Sequence, residues 1–484
     1  MRRLRTAADL AKWTGAGPVR EPGPALIDEA GDGLNGGSVS DGRPEPGPDV
    51  LLAAETPSPA PEAAGGTSEK SGMFRSLRNH NYRLFLSGSV VSNVGTWMQR
   101  TAQDWLVLSL TGGSGTALGI TVALQFLPIM LFGMWGGVLA DRFPKRPLLM
   151  TAQSLMAALA LAMGVLTVTG HAEVWHVYVM AFTLGLLACV EVPTRQSFVV
   201  EMVGRDDLSN AIALNSSSFN LARVVGPAVA GLLINWLGGT GPLFLVNALT
   251  FAFTIGGMLL MRTSELRTPE PVKRGKGQAR EGVRYVIGKP ELLLPVLMVG
   301  FVAVFAQSFT TSIALMATEV FDAGASAFGI GSSAFAIGAV VGALLAARRV
   351  TPSRRMMVAA GVAFGAAQIA AAVTPAYWAF LIVLVPAGLA MITVQTMANS
   401  TLQLGASSEM RGRVMGIYVL VFTAGAPIGA PLIGWIAELA GPRVGIMVSG
   451  LLSLTGVALA VLITRLVAAR RAVALNPATA PIAV

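Results

Sequence analysis

The sequence predicts an all-α membrane protein whose twelve transmembrane helices form two six-helix bundles, the second repeating the first in the same orientation. Three observations carry that expectation. Hydrophobic residues make up 53% of the 484 and charged residues only 13%, with a mean hydropathy of +0.63. Ordinary globular chains carry roughly 25% charged residues, and a soluble fold cannot hide so much apolar surface. From Tyr82 to Leu466 the apolar residues come in runs of about 20, the length that crosses a ~30 Å hydrocarbon core. Basic residues, finally, sit in every second connection between those runs.

In chain order, residues 1–72 come first. They hold 9 Pro and 12 Gly and no run able to span a bilayer, a composition that predicts a disordered tail. The basic start Met1–Arg5 lacks the apolar stretch of a signal peptide, and hydrophobic sequence begins shortly after Met73, an alternative start. Helices are expected near 83–109, 116–140, 147–169, 175–193, 209–236, 241–262, 291–318, 326–347, 355–374, 376–400, 413–437 and 443–466. The runs are continuous rather than alternating at every second residue, which excludes a β-barrel.

Basic residues cluster at Arg75/Arg78/Arg83, Arg142/Lys145/Arg146, Arg195/Arg205, the segment Arg262–Lys289, Arg348/Arg349/Arg354/Arg355, Arg411/Arg413 and Arg465/Arg470/Arg471. The intervening connections hold Arg443 alone. An excess of Lys and Arg marks cytoplasmic loops. Both termini are therefore expected in the cytoplasm, and the bias to Arg, 29 of the 35 basic residues, and to Ala and Gly looks like a GC-rich bacterial genome, so the expected location is a bacterial cytoplasmic membrane. The net charge of +9 becomes a topology signal, and no nucleic-acid partner is expected.

The two halves repeat. Gly226-Pro227 and Gly241-Pro242 return 200 residues later as Ala426-Pro427 and Gly441-Pro442, and the segment Gly136 to Asp141-Arg142 returns as Gly342 to Ala347-Arg348. Six helices separate the copies, so the repeat is parallel, and bundles so related can rock about a cavity between them. The expected organisation is a tail at 1–72, a first bundle at 73–262, a cytoplasmic linker at 263–290 with a short surface helix over Gln278–Ile287, a second bundle at 291–466, and a short tail at 467–484.

After the second helix the chain reads Gly137-Val-Leu-Ala-Asp141-Arg142-Phe-Pro144-Lys145-Arg146. Gly137 permits a close helix approach, and a carboxylate at the membrane surface can face a helix N-terminus, where unpaired N–H groups favour negative charge. The segment resembles the signature loop of the major facilitator superfamily. That resemblance implies that Asp141 and Arg142, with Lys145 and Arg146, latch the cytoplasmic ends of the two bundles together, against a helix start around Arg411–Val414. Pro144 departs from the family pattern, which has glycine there. The fifth helix reads Arg223-Val-Val-Gly226-Pro227-Ala-Val-Ala-Gly231 and is similar to the family's exporter motif. Gly95–Arg100, Asp104–Leu108, Pro193–Ser197 and Arg411–Gly416 look like the bacterial branch containing enterobactin and macrolide exporters.

Charges inside membrane helices are functional hypotheses. Arg100 and Asp104, spaced i,i+4, can pair on one face of helix 1. Glu191 is expected near the cytoplasmic end of helix 4, as a partner of Arg142 or Arg195 or as a transport residue. Asp104, Arg100 and Glu191 are the proton-coupling candidates. The family resemblance places helices 1, 4, 7 and 10 around the cavity, giving Asn93, Gln99, Gln307, Thr311, Gln395 and Asn399 as lining candidates, with Gln125 on helix 2. No phosphate loop occurs in the sequence, so an ion gradient or the substrate's own gradient must supply the energy.

The single Cys189 excludes a disulfide framework, and His80, His171 and His176 lack ligand spacing, so neither a metal site nor a cofactor is expected. No catalytic constellation appears, and the chain reads as no enzyme. The favoured reading is a monomeric proton-driven exporter of small organic molecules. An importer is the alternative on the same fold, with a non-transporting scaffold further behind.

Overall fold

The computed structural model describes residues 74–266, 278–347 and 352–475, and among these the secondary structure is entirely helical. The N-terminal tail, the middle of the linker, Arg348, Arg349 and the C-terminal residues from 476 lie outside the described residues.

Among the described residues eleven helices are long and apolar enough to cross a membrane. Labelling by chain order, α1 is His80–Thr111, α2 Gly115–Arg142, α3 Lys145–Val168, α4 Val174–Gly204, α5 Asp206–Trp236 and α6 Gly241–Leu259. The remainder are α7 Pro290–Leu315, α8 Gly324–Ala347, α9 Arg354–Ala372, α10 Tyr377–Gly405, α11 Ser408–Ala440 and α12 Pro442–Leu475. The long helix outside the set of eleven is α1. It is 32 residues long, but its interior carries Asn93, Gln99, Arg100, Gln103 and Asp104. All but Arg100 are buried, so α1 spends its polarity on protein neighbours rather than lipid.

Local chemistry sets the boundaries. The Asn79 side chain accepts the Tyr82 N–H at 2.9 Å and starts α1, and Ser114 accepts the Ala117 N–H at 3.1 Å at the start of α2. Such side-chain acceptors satisfy the unpaired donors of a first turn. Pro144, the departure from the family loop, has φ −58° and precedes α3 as its cap residue, a position that suits the fixed φ of proline. Helices α4 and α5 are continuous apart from Gly204, whose φ of 72° breaks them; a left-handed conformation is cheap for glycine alone.

Several boundaries differ from the sequence reading, among them the end of α10, at Gly405 rather than 400. Helix α4 runs to Gly204 rather than 193, so Glu191 lies more than three turns inside it. Helix α11 begins at Ser408 rather than 413, and α12 continues to Leu475 rather than ending at 466. The surface helix Gln278–Ile287 forms where expected.

The loops with clustered Lys and Arg fall at one end of the helices, called here the basic end. The opposite end, where α1 meets α2 and α11 meets α12, is the far end. Within the first six helices α1 packs on α5 and α6, α2 on α4, and α3 on α6; within the last six, α7 packs on α11 and α12, α8 on α10, and α9 on α12. Among the described residues the two most extensive crossings between the first six and the last six are α2 with α11 and α5 with α8, with smaller contacts of α1 and α2 on α7.

Candidate functional site

Those two crossings close the far end. A Cβ built on Gly434 of α11 would stand 2.1 Å from the Gly115 carbonyl oxygen of α2, and one on Gly119 would stand 2.4 Å from the Ala430 carbonyl. Only side-chain-free positions allow backbones this close. Glu438 adds a polar tie. Its carboxylate accepts from the Ser114 hydroxyl at 2.8 Å and the Thr116 N–H at 2.9 Å, placing negative charge at the N-terminus of α2. At the second crossing the exporter motif takes part: Gly231 faces Ala325 and Ser326, and the Pro227 carbonyl lies against Gly329. The Ser333 hydroxyl donates to the Val224 carbonyl at 2.6 Å, and the Asn235 amide donates to Ser326 at 2.6 Å.

Beneath this closure Val122, Ala426 and Ala430 form an apolar plug with Phe126 packed against it. Phe126 also faces the Arg100 guanidinium, 5.4 Å from its ring centroid. Arg100 lies 5.0 Å from the Trp97 centroid, and Arg223 lies 5.8 Å from the same ring. Phe219 meets Trp97 edge-on at 5.6 Å. Gly226 makes this possible: its position one turn beyond Arg223 brings α5 so near α1 that a Cβ there would stand 2.5 Å from Trp97 Cβ.

The expected Arg100–Asp104 ion pair does not form within 4.0 Å among the described residues. The guanidinium turns to the two aromatic rings instead, and Asp104 stays buried. Glu191 takes the partner available one turn along its own helix, Arg195, at 3.3 Å. Arg195 also donates to Asn93 at 3.3 Å, and Asn93 donates to Ser218 at 3.3 Å. One polar chain thus links α4, α1 and α5.

The lining candidates divide. Gln99 is buried and accepts from Asn247 of α6 at 2.6 Å, so it faces a helix of its own half. Thr311 is buried with its hydroxyl unpartnered. Gln395 is the polar member of a small cavity among α7, α10 and α11 that includes Val302, Met391 and Phe422. Gln125, Gln307 and Asn399 are half-buried, and the Gln403 amide donates to Asn399.

At the basic end Asp141 and Arg142 are exposed and Gly137 is half-buried. Its neighbour Gly136 makes a close approach to α4, where a Cβ would meet the Cys189 carbonyl at 1.9 Å. Lys145 pairs with Glu201 at 3.4 Å, and Arg146 donates to the last carbonyls of α6, Met258 at 2.8 Å and Leu259 at 3.4 Å. Arg413, near the expected latch partner, pairs with Glu281 of the surface helix at 2.5 Å. Lys289 donates to the Tyr285 hydroxyl at 2.8 Å, and the Ser407 N–H donates to it at 3.2 Å. These donors, Lys289 first, lower the Tyr285 phenol from its ordinary value near 10 to about 8.

Sequence reasoning missed Asn247, Glu201, Glu438 and Gln368. The last is fully buried and ties α9 to α12 through Ser449 and Ser453, both at 3.0 Å. A polar residue deep in an apolar run was the available signal for Asn247 and Gln368.

An all-helical chain with charges buried in its interior and glycine-lined crossings between its halves is built as a multi-pass membrane transporter. The profile of the transmembrane secretion effector family matches residues 71–481, and the chain belongs to that family of major facilitator transporters, which are not enzymes. It is 26% identical to the multidrug efflux pump Tap of Mycobacterium tuberculosis over 395 residues, covering 75% of this chain and 90% of Tap. It is 23% identical to the enterobactin exporter EntS of Salmonella choleraesuis over 353 residues, covering 72% and 81%. The staphyloferrin A transporter of Staphylococcus aureus is 30% identical over 153 residues, a match spanning 31% of this chain and 38% of that protein. Among solved structures, a POT family transporter in complex with a thioalcohol-conjugated peptide superposes with a TM-score of 0.64 at 11% identity, covering 82% of this chain and 100% of the other. A bacterial homologue of the human lysosomal transporter Spinster, inward-facing and unoccupied, gives 0.61 at 15%, covering 80% and 97%. At such identities the likeness concerns the fold.

Proposed function

We propose that this protein is a secondary active exporter of small organic molecules, working by alternating access in the cytoplasmic membrane and driven by proton antiport. All twelve helices cross the bilayer in this reading, as two bundles over residues 73–262 and 291–466 joined by the linker 263–290. The basic end is cytoplasmic, because Lys and Arg are retained on that side. The observation that carries the proposal is the closure of the far end by α2 on α11 and α5 on α8, with the arginines of α1 and α5 directly beneath it. Such a state takes substrate from the cytoplasm. Rocking the bundles would part the glycine contacts and release substrate outside. The relatives named as efflux pumps and exporters support the outward direction.

Asp104 is the proposed proton carrier. It is buried in the far-end half of α1 and held in no ion pair among the described residues, so its surroundings change when the far end opens. Glu191, already paired with Arg195, serves the architecture of α4. The protein acts as a monomer.

Everted membrane vesicles with an acid interior test the direction. They should accumulate fluorescent organic probes in a protein-dependent manner, and collapse of the pH gradient should abolish accumulation. Accumulation confined to right-side-out vesicles would make the protein an importer. Asp104→Asn should retain probe exchange while losing gradient-driven accumulation; a variant that still concentrates probe would remove Asp104 from coupling.

A further inference from the structure

We infer that the Trp97–Arg100–Arg223 cluster is a binding site for organic anions, with Trp97 and Phe126 receiving an aromatic or apolar part and the two guanidiniums receiving a carboxylate or similar group; this deepens the exporter reading and rests on it. Two arginines within 6 Å of one ring in a membrane-embedded helix pair is a costly arrangement, since a charge in the bilayer core normally pairs or lines a watered cavity. Neither guanidinium makes a hydrogen bond or ion pair with protein groups among the described residues. Each carries five N–H donors and no acceptor. Contact with an aromatic face attracts the cation, and it leaves those donors unspent.

The two positive charges are also near enough to repel one another. Asp104, one turn from Arg100, attracts it from beyond ion-pair distance and offsets one charge of the two. Arg195 of neighbouring α4 is already neutralised by Glu191. The cluster therefore keeps an excess positive charge that an anion would compensate. Its backbone is held in place for that purpose. Gly226 fixes α5 against Trp97, and Phe126 ties the ring pair to the plug of Val122, Ala426 and Ala430. An anion bound here would lie directly under the closed far end, where rocking of α2 and α5 carries it outward. Bidentate recognition of planar carboxylates is what guanidinium does better than ammonium.

The test uses full-length protein in detergent and three probes sharing one ring system: 1-pyrenebutyrate, 1-pyrenebutanol and the corresponding pyrenyl alkylammonium. Binding is read by energy transfer from tryptophan to pyrene. Hydrogen bonds to a charged group are stronger than those to a neutral one, so the carboxylate should bind roughly tenfold or more tightly than the alcohol, and the ammonium most weakly. Arg100→Gln and Arg223→Gln should each erase most of that preference while leaving alcohol binding in place. Should either variant fail to fold, Arg100→Lys and Arg223→Lys keep the charge, and added chloride must weaken carboxylate binding to the wild type without affecting the alcohol. Equal binding of the three probes, tighter binding of the ammonium, no binding of any of them, or an undiminished carboxylate preference in the Gln variants would overturn the inference. No gradient is present in this assay, so direction and coupling do not enter it. Lost anion selectivity leaves the vesicle result standing, and failed export leaves the site standing.

Discussion

At the far end the two halves of the chain meet backbone against backbone, through Gly115 with Gly434, Gly119 with Ala430, and Gly231 with Ala325. At the basic end the bonds seen among the described residues tie helices of the first six to one another and the linker helix to α11: Lys145 with Glu201, Arg146 with the end of α6, and Arg413 with Glu281. The contrast separates two kinds of strength. Glycine contacts are dense and non-directional, and the hydrogen bonds of Glu438, Ser333 and Asn235 beside them must break together with them when the bundles rock. Ion pairs and caps within a half hold helices to one another while that half moves as a body.

The largest effect is expected where the glycine seam is tightest. Gly434→Val places branched carbons where a Cβ alone would stand 2.1 Å from the Gly115 carbonyl, and overpacking costs about 1–3 kcal/mol or more. The far end should be forced apart, with transport reduced more than tenfold by that cost and a cysteine placed at Thr121 becoming reactive from outside. Unchanged reactivity would mean that the seam tolerates bulk and is not the gate.

Second comes Asp141→Asn, which removes a charge from the exposed last turn of α2 while keeping its shape. State exchange rather than folding should suffer, with transport lowered by roughly tenfold, on the order of 1.4 kcal/mol of conformational preference. Full transport would take the latch role from this turn.

Third, Glu201→Gln breaks a half-to-fully buried pair with Lys145 within the first six helices. Loss of a partner from a buried pair is destabilising by up to about 3–5 kcal/mol, less here because the pair lies near the membrane surface. Thermal stability in detergent should fall, while the ratio of far-end to basic-end cysteine accessibility stays constant. A shift in that ratio would show that this pair acts between states and not within one half.

How far the sequence reaches is visible in the same comparison. Helix positions were legible because apolar runs and basic loops follow from the bilayer itself. The i,i+4 partner of Glu191 was legible because the helix repeat brings Arg195 to its side. Contacts that depend on how helices cross were not. Glu438 reaches Ser114 across 324 positions and Asn247 reaches Gln99 across 148, and no local spacing encodes either. The Arg100–Asp104 pairing shows the opposite hazard: the spacing permits the pair, yet Trp97 and Phe126 offer the guanidinium rings that the spacing does not reveal. Likewise the close approach of Gly136 to α4 follows from the rotation of α2 about its axis, which packing sets.

The smallest effect concerns the surface helix. Tyr285 titrates at about 8 rather than near 10 because Lys289 and Ser407 donate to its oxygen. Its folded value lies below the unfolded one, so the tie of this helix to α11 is strongest above about 10 and weakens as pH falls through about 8. Ultraviolet absorbance of the phenolate should show a transition near pH 8 that Lys289→Ala moves upward and Tyr285→Phe abolishes. A single tyrosine transition near 10 would mean that the linker helix is not docked there.

The central claim, that the two ends open in alternation, is tested most directly by spin-label distances measured in one protein sample series. One pair of labels joins Gly112 to Leu439 at the far end, and a second pair joins Leu139 to Leu404 at the basic end. In the state described here the far-end pair should be short and the basic-end pair long. Acidification or addition of an organic anion should populate the converse, with one distance lengthening as the other shortens. Distances that stay fixed under every condition, or that lengthen and shorten together, would contradict alternating access in this protein.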